Sequence, residues 1–271
     1  MAGIVSLLIL AGIAVFIFFY AILPGIRKKN SVLKNPFPDE WKKILEDKVS
    51  FYRTLSAADK EKFCQRVKLF LSEARITGVE LVVTDTLKLL VAASAVIPVF
   101  AFEEWNYVNL GEILIYNGLV ETNQAADAEN HNSILGQVRP FQSKHLLLLS
   151  KQSLEAGFEK MNGKENVGFH EFAHLIDEAD GTIDGVPKAL MPEELVKPWT
   201  ELMYKEIERI KHGKSDINPY GLTNHAEFFA VVCEYFFEDH DRFRTHHQEL
   251  YDLLTKVFSK KDNSTNSANL S

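Results

Sequence analysis

Cysteine is almost missing from this chain. Cys64 and Cys233 are the only two in 271 residues, too few for a disulfide framework, and a reducing compartment is permitted. A basic excess is missing too. With 30 Lys and Arg against 37 Asp and Glu the net charge is −7, which excludes the basic face that a nucleic-acid binder presents. No internal repeat is present, and this excludes a solenoid or a propeller. What remains is an ordinary globular composition, 46% hydrophobic and 25% charged, enough for one full domain with an appendage.

No charged residue precedes Arg27. Within that stretch Gly3 to Leu23 is an uncharged apolar run close to the ~20 residues that cross a bilayer as a helix. Arg27, Lys28 and Lys29 follow it, so the positive-inside rule places everything downstream in the cytoplasm. The expectation is a transmembrane anchor over residues 1–26, a basic, Pro-punctuated linker over 27–38, a catalytic domain over 39–258 and a disordered tail over 259–271. The chain is thus expected to be a single-pass protein of the inner (cytoplasmic) membrane, held through residues 3–23, with its catalytic domain in the cytoplasm.

Along the body, apolar residues fall at helical spacing over 41–49 and 56–74, the second segment capped by Ser56 with Phe63, Val67, Phe70 and Leu71 inward. Residues 79–83 read as a short strand and 85–95 as a buried helix ending before Pro98. Strand material is expected at 105–108 and 112–116, the latter closed by Asn117-Gly118. Residues 121–133 read as a polar loop, with His131 a solvated histidine and a metal ligand as the alternative. His145 to Ser150 is an apolar run of strand length, with core helix as the alternative, and 153–161 is weakly helical. A charged amphipathic helix covers 198–212, and Asn218-Pro219-Tyr220-Gly221 is a turn. Asn224 then caps a last apolar helix.

The chemistry gathers at His170-Glu171-Phe172-Ala173-His174. On a helix the two histidines, four apart, project from one face and can grip one metal ion, with Glu171 beside it as a general base. A zinc hydrolase needs a third protein ligand and an open position. Glu227 and Glu234, seven apart on an otherwise apolar helix, supply the candidates: Glu227 as ligand, Glu234 as a carboxylate that orients His170 or His174. Asp177, three residues after His174, either accepts a proton from a ligand imidazole or is a solvated acid at the helix end. Its Asp- and Gly-rich surroundings lack the ligand spacing of a calcium loop. Tyr220 has the character to donate to a tetrahedral oxyanion, the alternative being a turn aromatic on the surface. His225 reads as a cap-region residue rather than a ligand. In the reaction so outlined zinc acidifies water, Glu171 takes the proton, and the hydroxide attacks a carbonyl. A strand at Leu146 to Leu149 is expected to pair with an extended substrate.

Together with Asp184-Gly185-Val186-Pro187, Asn218-Pro219-Tyr220 and Glu227-Phe228-Phe229-Ala230 through Glu234-Tyr235-Phe236-Phe237, these residues make the sequence resemble the Mlc titration factor A family of zinc metallopeptidases. The resemblance spans residues 40–258 and is densest over 165–240. It implies an α+β fold, mainly α, with a gluzincin-like core and a small sheet, here preceded by the transmembrane helix. It implies His170, His174 and Glu227 as ligands to one Zn2+, Glu171 as catalytic base and Tyr220 as the tyrosine that meets the transition state. Peptidase action on a peptide or protein substrate, chiefly as an aminopeptidase, is the implied activity. The alternative it carries is a regulatory protein that sequesters a transcriptional regulator, with hydrolysis secondary.

Overall fold

In the computed structural model residues 23–102, 105–118, 136–141, 144–159 and 165–259 are described, with Ser6, Leu10 and Ile13. Polar caps set the helix starts. Ser56 Oγ accepts from Asp59 N at 3.2 Å and opens α4 (Ala57–Glu73), which follows α1 (Leu23–Lys34), α2 (Asp39–Lys48) and α3 (Ser50–Thr54). Thr84 Oγ1 accepts from Leu87 N at 3.3 Å and opens α5 (Asp85–Val96). Leu87 and Leu89 to Val96 are buried on every side of α5, so it runs through the core.

The sheet holds β1 (Arg75–Val79), β2 (Leu110–Tyr116), β3 (Gly136–Phe141) and β4 (Lys144–Ser150) in the order β1-β2-β4-β3. β1, β2 and β4 are parallel, with Ile113 opposite Ile76 on one side and Leu147 on the other. β3 runs antiparallel to β4 at the margin. The chain is thus α+β and mainly helical, with a small mixed sheet.

Several local expectations shift. The strand expected over 79–83 lies earlier and ends at Val79, because Glu80 adopts a left-handed φ of 58° that breaks extended geometry. Residues 105–108 form no strand. Instead Tyr107 packs its ring 5.0 Å from that of Phe172 and donates its hydroxyl to Ala95 O at 2.7 Å. β4 has β2 on one side and β3 on the other, so Leu146 to Leu149 has no edge left for a substrate. The polar loop with His131 and the tail beyond Ser259 lie outside the described residues.

The membrane expectation is corrected. Among the described residues no helix is long and apolar enough to cross a membrane, which overturns the single-pass inner-membrane placement with a cytoplasmic domain. α1 has 12 residues and carries Arg27, Lys28, Lys29 and Lys34. At ~1.5 Å per residue it reaches about 18 Å, short of the ~30 Å apolar core of a bilayer. The run over 3–23 falls outside the described residues except at Ser6, Leu10, Ile13 and Leu23. Most of the stretch expected as a linker is helical, as the last two thirds of α1, and Lys68 Nζ donates to Leu33 O and Asn35 O where that helix ends.

A short α6 (Lys151–Gly157) follows β4, and the next helix, α7 (Val167–Asp177), sits where two apolar clusters meet. Phe169, Phe172 and Leu175 face the cluster of α4, α5 and the sheet. Ala173 and Ile176 face the cluster built by α8 (Glu193–Lys211), α9 (His225–Glu238) and α11 (Gln248–Phe258), with short α10 (His240–His246) between the last two. α8 starts before Pro198, its first turn supplied with Glu193 and Glu194. Asn109 Nδ2 donates to Leu175 O at 2.9 Å, and His145 Nε2 meets Glu178 Oε1 at 2.9 Å, so the far end of α7 is tied to the sheet.

At Gly168 α7 touches α5: a Cβ there would stand 2.0 Å from Ser94 Oγ and 2.7 Å from Ser94 Cβ. Gly168→Ala therefore pushes α7 from its seat, and overpacking of this kind costs about 1–3 kcal/mol. Urea denaturation of the variant checks this through a lower midpoint at unchanged slope.

Candidate metal centre

α7 begins with Asn166 as cap, its Oδ1 accepting from Phe169 N at 3.2 Å. From that start His170 and His174 fall on one face, their rings 4.8 Å apart. α9 crosses this face. Asn224 caps it through Glu227 N at 2.9 Å, which places Glu227 in the first turn of α9. Glu227 Oε2 lies 2.9 Å from His170 Nε2 and 3.4 Å from His174 Nε2. These three residues offer ligand atoms all within 4.8 Å of one another, the only such group among the described residues.

The donor set fits zinc. Tetrahedral bonds of ~2.0–2.1 Å to two imidazole nitrogens and a carboxylate oxygen put the donors roughly 3.3 Å apart. The 2.9 and 3.4 Å from the Glu227 carboxylate to the two imidazoles bracket that spacing, and all three ligand atoms lie within 4.8 Å of one another. Burial works against the Glu227 carboxylate, but hydrogen bonds from His170 and His174 outweigh it and hold its pKa at about 2. Burial likewise opposes charge on His170, and the carboxylates of Glu234, Glu227 and Glu171 overcome it and carry its pKa well above the ordinary value. His170, His174, Glu227 and Glu234 thus form an ion-paired cluster.

Glu234 lies one heptad along α9. Its Oε1 is 2.5 Å from His170 Nδ1 and its Oε2 accepts from Asn166 N at 2.9 Å. It reaches His170 and not His174. Glu171, next to His170 on α7, is buried, and burial pushes its carboxyl up to about 7 against the pull of the neighbouring His170 and His174. The start of β3 passes directly over it: a Cβ on Gly136 would stand 2.7 Å from Glu171 Oε1. Only a residue without a side chain fits there.

Asp177 is elsewhere engaged. It makes no hydrogen bond with His174, and its Oδ2 accepts from Gly185 N at 2.9 Å, closing the loop that follows α7. It is fully buried rather than solvated, and burial raises its pKa to about 6 despite that backbone donor. Tyr220 stands on a 3-10 turn (Pro219–Leu222) that packs on α9. Tyr220 is 47% exposed, and its ring lies 6.0 Å from the His170 ring. Asn218 seats it, accepting from Tyr220 N at 2.9 Å while donating to Glu165 Oε1 at 3.2 Å. His225 stacks edge-on against Tyr204 at 5.1 Å and stays out of the ligand group.

Sequence reasoning passed over Asn166 and Gly136, and read Asn218 as a turn residue without its contact to Glu165. Asn166 carried a readable signal, since Asn directly before an apolar-periodic segment is a natural cap. The other two depend on contacts distant in sequence.

Two histidines one turn apart on a helix, met by a glutamate from a later helix, form a group that could hold a metal ion, the pattern found in metal-dependent hydrolases. The chain belongs to the glucose-regulated metallo-peptidase M90 family, whose model matches residues 24–259. It is similar to an uncharacterized Synechocystis protein, slr2042, at 30% identity over 264 residues, covering 94% of this chain and 95% of that protein. It is also similar to Mlc titration factor A of Pectobacterium atrosepticum, at 26% over 216 residues with 75% and 80% covered. Mlc titration factor A of Klebsiella pneumoniae is 27% identical over 196 residues, with 68% and 72% covered. As a peptidase the chain takes a peptide substrate.

Proposed function

We propose that residues 39–258 form a zinc-dependent peptidase domain with His170, His174 and Glu227 as the metal ligands, Glu171 as general base and Tyr220 as oxyanion donor. The observation that carries this reading is the convergence of both imidazoles on the Glu227 carboxylate with the buried Glu171 beside them. Zinc held by this set supplies Lewis acidity for a peptide carbonyl and for water. The chain's residues do the rest. Glu171, poised near neutral pH, takes a proton from the attacking water and returns it to the leaving amine. Tyr220 donates to the oxygen on which charge develops. Glu234 holds His170 Nδ1 and so leaves Nε2 for the ion. Aminopeptidase action is the expected mode, on the strength of the family resemblance. The regulator-binding alternative draws support from the name of the Mlc titration factor relatives, and a variant that keeps the metal but cannot hydrolyse separates the two.

Substrate enters along β3, which no described strand pairs on its outer side. Pro140 has no N–H, so its place opposite His145 needs no ladder bond. By the two-residue period Val138 and Gly136 share its orientation and aim their N–H and C=O groups away from β4. An extended peptide added to that edge runs to Gly136, and there it meets Glu171. Val138→Pro deletes one outward donor without touching the β3–β4 ladder. Losing one such bond, worth about 1 kcal/mol, raises KM for oligopeptides roughly 5-fold with kcat kept. Steady-state kinetics check it, and an unchanged KM counts against the edge.

A further inference from the structure

Asn166 sits where three parts of the metal centre's scaffold join, and it is fully buried. Every hydrogen-bonding group it owns is used. Oδ1 caps α7 through Phe169 N at 3.2 Å, and the backbone carbonyl accepts from His170 N at 3.0 Å. The backbone N–H donates to Glu234 Oε2 at 2.9 Å, and Nδ2 donates to Gly157 O at 3.0 Å and to Glu238 Oε1 at 2.7 Å. Glu238 is one turn beyond Glu234 on α9, so two adjacent acids of that helix reach one asparagine.

We infer that Asn166 is a positioning residue of the metal centre: it joins the start of α7, which carries His170, to the two α9 carboxylates, one of which holds His170 Nδ1, and so sets the ring's direction. This rests on the zinc-site reading above. His170 is fixed at its backbone by the first turn of α7 and at its ring by Glu234. Both restraints end on Asn166, so a displacement of Asn166 moves histidine and carboxylate by different amounts and opens the 2.5 Å contact between them. Only Asn meets the demand on the side chain, one acceptor towards Phe169 and two donors towards Gly157 O and Glu238. Aspartate keeps the cap but turns an acceptor on a carbonyl and a carboxylate. Serine keeps the cap and offers neither amide donor.

The test uses the full chain as Asn166→Asp, Asn166→Ser and Asn166→Asp with Glu238→Gln. Zinc affinity is read by competition with a chromophoric chelator, alongside kcat and KM. Loss of an outer partner of a ligand costs roughly 10–100-fold in metal affinity or activity. Asn166→Asp is expected to lose at least 10-fold in zinc affinity, with kcat lowered and KM kept. Adding Glu238→Gln, whose amide donates to the new carboxylate, is expected to recover most of that loss. Asn166→Ser, which adds no charge, falls between and serves if the aspartate variant does not fold. A purely structural Asn166 lowers the melting temperature yet leaves the zinc affinity of folded protein within twofold of wild type, and that result overturns the inference. Wild type that binds no zinc overturns the zinc-site reading instead, so the two failures are distinct.

Discussion

Glu171→Gln is expected to bind zinc as wild type does and to hydrolyse peptides about 10³–10⁴-fold more slowly, near the upper end of what a positioned acid–base group contributes. The amide keeps the shape of the buried side chain under Gly136 and cannot accept a proton. The pH profile carries the same residue's signature. A general base works ionised, so kcat/KM falls as pH drops through its pKa. Burial raises that pKa to about 7 in the metal-free protein. A dication beside it favours the carboxylate, so the acid limb of the loaded enzyme lies below that value, and Glu171→Gln has no such limb. Metal analysis and stopped assays across pH 4–8 read both effects. Equal turnover by variant and wild type removes Glu171 from the mechanism.

Glu227→Ala has the second largest effect. It removes a ligand outright, so the loss of zinc affinity exceeds the roughly 10–100-fold expected for an outer partner, and hydrolysis falls with it. It also acts on the metal-free protein. The Glu227 carboxylate is held at about 2 against an ordinary 4.5, so it favours the folded state fully above pH 4.5. That contribution fades as pH falls from 4.5 to about 2. The variant is therefore less stable than the metal-free wild type at neutral pH, and the gap closes in acid. Thermal denaturation in chelator at several pH values checks the sign. A variant that still takes up one zinc with wild-type affinity places the third ligand elsewhere.

Much of the site was legible because its spacing is local. His170 and His174 need only a helix to converge, and Glu227 and Glu234 share a face through the heptad on α9. Caps at Ser56, Asn224 and the turn at Asn218 could be read from residue type alone. What escaped depends on neighbours far along the chain. β3 contains Gly136 and Pro140, which argue against a strand until its marginal position is known. β4 shows the converse. A leucine run marks a strand without telling whether its edges are open, and here both are taken. Asp177 has the right interval from His174, yet the Gly185 loop claims its carboxylate. The uncharged run over 3–23 likewise pointed to a spanning helix, whereas among the described residues no helix is long and apolar enough to cross a membrane and α1 is short and basic.

The most direct measurement is peptide hydrolysis by the full chain after chelation, followed by return of zinc. The account predicts that activity disappears with the metal and comes back in proportion to zinc bound, reaching its plateau at about one ion per chain, the number that the single ligand group can hold. Undiminished hydrolysis by the metal-free chain would contradict it.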